Sequence, residues 1–244
     1  MTSIAAIERA AAIAWPALET ATMGEWLLSA GEGFSRRRNS AVPLGRLSDG
    51  IDRRIDEVVA WYRERGITPR FRMTPLCDDR VDAILDRRGF VIEDPVAVMA
   101  RPLDDPGTTD GVTVADHATE EWVDAQLEVL GIDRSLVHPW LSTLAALPDP
   151  AAFVNATVGD STVGVGFGVV VDELLGSFEL AVAEQYRRQG HATRLMSALH
   201  AFGCRRGARS GYLQVVEENR PAAALYERLG YGIVYRYWYR AADA

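Results

Sequence analysis

The residues best suited to chemistry lie between Leu180 and Leu195, LAVAEQYRRQGHATRL. An apolar strand runs into Arg187-x-x-Gly190-x-Ala192 and then directly into a helix. Gly190 can take backbone angles closed to other residues. Ala192 is small enough to let another group approach the main chain. The amides of such a turn open outward at a helix N-terminus. Unsatisfied N–H groups, the positive end of the helix dipole and two flanking arginines together make a seat for phosphate. The spacing is not that of a P-loop, with its four-residue gap and Gly-Lys-Ser/Thr, nor that of a three-glycine dinucleotide fingerprint.

The elements that must hold this turn follow from the pattern around it. Ala118–Leu130 and Ser135–Ala146 are expected as helices, and Phe153–Val158, Val163–Val170 and Ser177–Val182 as antiparallel strands. The valine- and glycine-rich run 162–171 fits a buried strand approached closely by other backbone. His191–Arg206 reads as a helix with Leu195, Leu199 and Phe202 on one stripe. Tyr212–Val216, Arg220–Leu229 and Tyr231–Arg240 read as strand, helix and closing strand.

Composition bounds the function. A chain of 244 residues makes one large domain or two small ones, and 48% hydrophobic residues suffice for a core. The formal net charge of -8 argues against nucleic acid as a partner. All 26 basic side chains are arginine, so no lysine is available as base or nucleophile. Cys77 and Cys204 lack metal-ligand spacing and, without a secretory signal, read as reduced thiols of a cytoplasmic protein. The opening MTSIAAIERAAAIAWP is interrupted by Glu8 and Arg9 and reads as an amphipathic helix. No apolar run is long enough for a bilayer, and no His/Cys/Asp cluster suggests a metal.

The turn matches [QR]-x-x-G-x-[GA], and so resembles the pyrophosphate loop of the GNAT family of acetyl-CoA-dependent N-acetyltransferases. Leu213–Tyr231, LQVVEENRPAAALYERLGY, resembles the other half of that family's signature: a strand, Asn219, a short helix carrying Leu225-Tyr226, then Gly230-Tyr231. The resemblance implies an acetyl-CoA co-substrate, no metal, and an amine acceptor that is a small molecule or amino acid. It also implies roles. Backbone amides of Arg188, Gln189, Gly190, His191, Ala192 and Thr193, beside Arg187, would hold the pyrophosphate. Leu180, Ala181 and Val182 would pair with the pantetheine arm, and an amide near Val182 would face the oxyanion. Asn219 would reach the same arm, or cap the following helix, and the two are compatible. Tyr226 would be the general acid for the leaving thiolate, the alternative being a packed aromatic. Glu179, one residue before Leu180 on an alternating strand, would be the general base, through water, for an amine that arrives protonated. The alternative for Glu179 is a solvated or ion-paired carboxylate, with Glu217 and Glu218 as weaker rivals. His191 is expected to act through its backbone, His200 to fill surface or core, and His117 or His138 to lie beside the acceptor.

The chain also reads as doubled around the turn-rich stretch 104–111, DDPGTTDG. Phe71–Phe90 parallels Tyr212–Tyr231 at an offset of 141 (230 − 89), which pairs Gly89 with Gly230 and Phe90 with Tyr231. The same offset sets Asp78 against Asn219 and Leu85 against Tyr226, and the first copy has no Arg-x-x-Gly-x-Ala turn. The expected architecture is therefore α/β (α+β): two tandem GNAT-like folds, each a mixed, mostly antiparallel sheet flanked by helices. Residues 1–103 would be a degenerate copy, structural or a wall of the acceptor site, and 112–244 the catalytic copy. WPALE, GEWLLSAGEGFSRRRNSAVPLG and AWYRERGITPRFRM resemble a two-part GNAT type that includes proteins described as N-acetylglutamate synthases. The run Arg36-Arg37-Arg38-Asn39 reads as a solvated turn or, with glutamate as one candidate acceptor, as a contact for its carboxylate. The alternatives are an antibiotic-like amine, a protein N-terminus, or a non-catalytic acyl-CoA-binding module. A monomer or homodimer is expected.

Overall fold

Caps and apolar spacing fix the helices. Helix α1 (Ile4–Ala14) starts at Ser3, whose hydroxyl accepts from the Ala6 amide, and buries Ile7, Ala10, Ala11 and Ala14. A hairpin, β1 (Glu19–Met23) and β2 (Trp26–Ala30), precedes the short β3 (Ala41–Val42). Helix α2 (Ile51–Glu64) buries Ile51, Ile55, Val58 and Tyr62. Then come β4 (Arg70–Met73), α3 (Asp79–Arg87), β5 (Val91–Pro102) and β6 (Val112–Ala115). Helix α4 (Glu120–Leu130) is capped by Thr119 and closed by a left-handed Gly131, and α5 (Val137–Ala145) follows. The remaining elements are β7 (Ala151–Val158), β8 (Ser161–Val171), β9 (Leu174–Val182), α6 (His191–Arg205), β10 (Ser210–Val216), α7 (Arg220–Arg228) and β11 (Gly232–Ala241). The structure, a computed structural model, describes residues 2–31, 35–46, 49–133, 135 and 137–242. Glu32, Gly33 and Phe34 of the N-terminal motif, with Leu47 and Ser48, lie outside them, as does Leu136 of an expected helix.

Contacts group the chain into two compact units drawn from interleaved segments. Unit one holds residues 1–15, 99–214 and 221–232, and unit two holds 16–98, 215–220 and 233–244. These are not the halves on either side of 104–111: α1 joins the unit that contains β7–β9, and most of β11 joins the unit that contains β4.

In unit one the strands run β6, β7, β8, β9, β10 across the sheet. The first three junctions are antiparallel, and β10 lies parallel to β9, with α6 as the crossover. Strand β8 is buried from Val163 to Val170, so both its faces are covered. Phe167 stacks on Trp15 and Phe178 at 5.0 and 5.3 Å on one face. A Cβ at Gly168 would touch Leu199 of α6 on the other. Strand β9 begins at Leu174, earlier than expected, because Asp172 takes a φ of 53° and allows a tight turn from Val171.

In unit two the order is β1, β2, β3, β4, β11, β5. Trp26, Leu28, Ile55, Val58, Tyr62, Phe71 and Leu85 form its core. Arg240 of β11 donates to both Asp82 oxygens, to Asp86 and to the Phe90 carbonyl, which ties β11 to α3 and the turn after it.

Segments 79–90 and 220–231 share their local geometry. Helices α3 and α7 begin and end 141 residues apart (220 − 79 and 228 − 87). Gly89 and Gly230 both take left-handed angles, φ 80° and 83°. The amide of Phe90 donates to Leu85 and that of Tyr231 to Tyr226, each at 3.0 Å. Leu85 is fully buried. Leu85→Ala is expected to lower the unfolding free energy by about 2–5 kcal/mol, measured by urea denaturation. A loss under about 0.5 kcal/mol would show that Leu85 is not a core residue.

Candidate active site

Pairing between β9 and β10 is short. Leu174, Leu175 and Gly176 pair with Ser210, Gly211 and Tyr212, after which β9 continues to Val182 and β10 to Val216 without further pairing to each other. The two strands part, and main-chain groups along that side of β9 need other partners. Opposite β8, the register jumps: Phe178 pairs with Phe167, and Ala181 with Val165. Glu179 and Leu180 together face Gly166, with Glu179 at φ 48°. This is a β-bulge, which re-aims side chains. Simple alternation therefore does not set the direction of Glu179.

At the far end of β9 the main chain makes the expected turn. After the single-turn 3₁₀ segment Glu184–Tyr186, Arg188 takes φ 60° and Gly190 φ 85°, and α6 starts at His191. A Cβ at Gly190 would meet nothing within 4 Å, so the positive φ, not crowding, calls for glycine there. Two left-handed residues stand just ahead of a fifteen-residue helix, a backbone arrangement that suits an anion. The Arg187 Nε donates to the Val182 carbonyl at 3.2 Å, and the Gln189 amide nitrogen to the Gln185 carbonyl at 3.1 Å. Both side chains thus brace the turn. The exposed Arg188 stands in it, and Ala192 and Thr193 lie in the first turn of α6.

Tyr226 lies within electrostatic reach of Glu179. Burial pushes the Tyr226 phenol up to about 12, and the charge of Glu179 adds to the rise. Glu179 itself is half-buried. Asn219 is exposed and stands immediately before α7, where Asp78 stands before α3. It belongs to the segment grouped with unit two. Of the weaker rivals, Glu217 is exposed and ion-paired with Arg236 at 2.5 Å.

The histidines differ from one another. His191 is buried, and its Nδ1 accepts from Arg194 at 2.9 Å. Burial and the Arg194 charge lower its pKa. His117 is exposed beside Asp116, and His138 is exposed on α5. His200 is more than filler: its Nε2 shares a 2.8 Å hydrogen bond with the Tyr231 hydroxyl. Burial, and after it the charge of Arg101, push the imidazole down to about 4. Sequence offered no signal for this bond beyond a histidine on the buried stripe of α6. It also offered none for the bulge at Glu179, which arises from strand register. Among the described residues, no His, Cys, Asp and Glu side chains gather as a metal-ligand group, and no helix is long and apolar enough to cross a membrane.

A parallel strand pair that parts beside a bulge, followed by a left-handed turn at a helix start, matches the fold of GCN5-related N-acetyltransferases (GNAT). The chain belongs to the GNAT family described as "Probable histone acetyltransferase Rv0428c C-terminal", whose profile matches residues 1–240. It is 30% identical to the probable histone acetyltransferase Rv0428c of Mycobacterium tuberculosis, over 99% of this chain and 75% of that protein. It is 25% identical to the uncharacterized N-acetyltransferase YobR of Bacillus subtilis, over 98% of this chain and 99% of that one. A GCN5-related N-acetyltransferase from Kribbella flavida shares the fold, with a TM-score of 0.67 at 15% identity, covering 93% of this chain and 90% of that structure.

The depressed pKa of His200 makes an acid-stability prediction. A folded pKa near 4 against about 6.5 unfolded means that the unfolded chain takes the proton first. The contribution of neutral His200, on the order of 3 kcal/mol, is complete above about pH 6.5 and is lost as pH falls toward 4. Urea unfolding at pH 7, 5.5 and 4.5 should show this slope, and His200→Gln should flatten it. An equal slope in the variant would assign the acid sensitivity elsewhere.

Proposed function

We propose that the chain transfers the acetyl group of acetyl-CoA to the amine of a small molecule or amino acid, by direct attack in a ternary complex. The observation that carries this reading is the bulge that sets Glu179 within electrostatic reach of Tyr226 on the strand that parts from β10. The amides of Arg188–Thr193 would hold the pyrophosphate. The main chain of Leu180, Ala181 and Val182 would take the pantetheine arm. Glu179 would accept the proton of the incoming ammonium, through water. Tyr226 would donate to the departing sulfur. A phenol held near 12 keeps its proton at neutral pH, but it is a weaker acid than a thiol at about 8.5. Tyr226 therefore stabilises the thiolate by a hydrogen bond rather than by complete proton transfer.

The acceptor is narrowed only in part. Arg36 is bound to Glu93 and Asp94 at 3.3 and 2.5 Å, and the buried Arg38 donates to the Pro16 carbonyl. Two of the three arginines offered for a carboxylate are thus engaged within unit two, which weakens the case for glutamate. A second reading, a lysine of a basic protein, is favoured by the net charge of -8, and the name of the mycobacterial relative agrees with it. We further infer that residues 1–103 and 112–244 are two copies of one GNAT-like architecture, the first without the anion-binding turn.

Calorimetric titration with acetyl-CoA, followed by thiol release against pools of amino acids, simple amines and basic peptides, tests the reading. Binding with release in one pool is expected, and absence of binding would overturn it. Gly190→Pro, which fixes φ near −65° and removes an amide donor, is expected to abolish acetyl-CoA binding. Unchanged affinity would remove the turn from the site. Tyr226→Phe should lower turnover about tenfold to a hundredfold with acetyl-CoA affinity nearly unchanged. Wild-type turnover would leave Tyr226 a packing residue.

A further inference from the structure

We propose that Tyr231 and His200 are positioning residues for acetyl transfer: their hydrogen bond fixes the point at which β9 and β10 part and, through Tyr231, the place of Tyr226. The proposal rests on the reading of the parted strands as the acetyl-CoA cleft. Its basis is a set of contacts gathered at the last paired residues. Gly211 pairs with Leu175, and the final pair is Tyr212 with Gly176. A Cβ added at Gly211 would lie 2.8 Å from the Tyr231 hydroxyl oxygen, and one at Gly176 would lie 2.6 Å from the Tyr212 hydroxyl oxygen. Both strands thus lack side chains where two phenols fill the space. The Tyr231 hydroxyl lies against β10 one pair before the strands separate.

Three elements meet at that hydroxyl. Ser177 of β9, buried, lies close enough to offset part of the rise that burial imposes on the Tyr231 phenol. His200 reaches it from α6 at 2.8 Å. Tyr231 itself follows α7: its amide donates to the Tyr226 carbonyl at 3.0 Å, and the two rings meet edge to face with centroids 6.1 Å apart. Arg101 steadies the same corner by donating to the Leu229 carbonyl at 2.6 Å. Movement of the Tyr231 ring is therefore passed to the turn that carries Tyr226.

Helix α6 gives the contact its further consequence. It begins at the anion-binding turn and carries His200 nine residues after His191, about 14 Å along a rigid axis. The His200–Tyr231 bond ties that helix to the parting point. It thereby sets the distance between the seat for the pyrophosphate and the place where the thioester would lie. Neither residue touches the reacting atoms, so their effect is on placement.

The test uses Gly211 as a second-site probe in the whole chain, with acetyl-CoA affinity by calorimetry and thiol release as readouts. Tyr231→Phe and His200→Leu should each weaken acetyl-CoA binding about tenfold, and the double variant should be no weaker than either alone. Gly211→Ala should weaken binding in the native background by displacing the hydroxyl. In the Tyr231→Phe background, where that oxygen is gone, the same alanine should add no loss. A general loss of folding would not give this relief. Unchanged affinity in Tyr231→Phe, additive losses in the double variant, or a Gly211→Ala penalty equal in both backgrounds would each overturn the proposal. Absence of acetyl-CoA binding by the unmodified chain would instead overturn the acetyl-CoA reading. Wild-type turnover in Tyr226→Phe, with Tyr231→Phe impaired, would sink the route through Tyr226.

Discussion

The rest of unit one depends on the fact that a parallel strand pair is held for three residues and then released. A strand leaving its neighbour strands main-chain donors and acceptors, which is costly in a protein interior unless something else meets them. The fold supports the separation from both sides. On one side β9 keeps its antiparallel pairing with β8 as far as Val182, with one extra residue taken up at the bulge. On the other, β10 leads into α7, whose Tyr226 is buried near the gap. The turn at Arg188 and Gly190 is then simply where β9 ends and α6 must begin. The parted strands and the left-handed turn are one feature seen at two points along the chain.

Much of this was legible in the sequence because it is local. The turn at Gly190 needs a left-handed residue before a helix, and Arg187, Gly190 and Ala192 announce it. The doubled segment was visible because Gly89 and Gly230 end equivalent helices 141 residues apart, and short helices with glycine stops are written in a few neighbouring residues. What could not be read was non-local. The left-handed Glu179 exists only because β8 and β9 pair out of step. The left-handed Arg188 likewise has no sequence marker. His200 and Tyr231 lie 31 residues apart, and nothing in either neighbourhood says that their polar atoms meet. The arginine run at 36–38 read as a solvated turn, yet Arg38 is buried, since a guanidinium can be enclosed once carbonyls accept from it.

Segments 79–90 and 220–231 show how one local geometry can carry different side chains. Both have the helix, the left-handed glycine and the aromatic that follows it. In one the helix presents a tyrosine beside a carboxylate, and in the other a leucine closes the core. Asp78, the counterpart of Asn219, caps its own helix and binds Arg80 at 2.6 Å, which holds its carboxyl down at about 2. One local backbone geometry thus serves two different sets of side chains.

The interleaving of the two units has a consequence for how the chain is made. Unit two needs β11, whose residues leave the ribosome after almost all of unit one has been synthesised. Until then β4 lacks its antiparallel neighbour, and Asp82 and Asp86 lack Arg240. The earlier half cannot finish folding by itself during translation, although its helices can form. Its completion waits on contacts between residues more than 150 apart, the kind of long-range closure that slows folding and leaves strand edges open while it is pending.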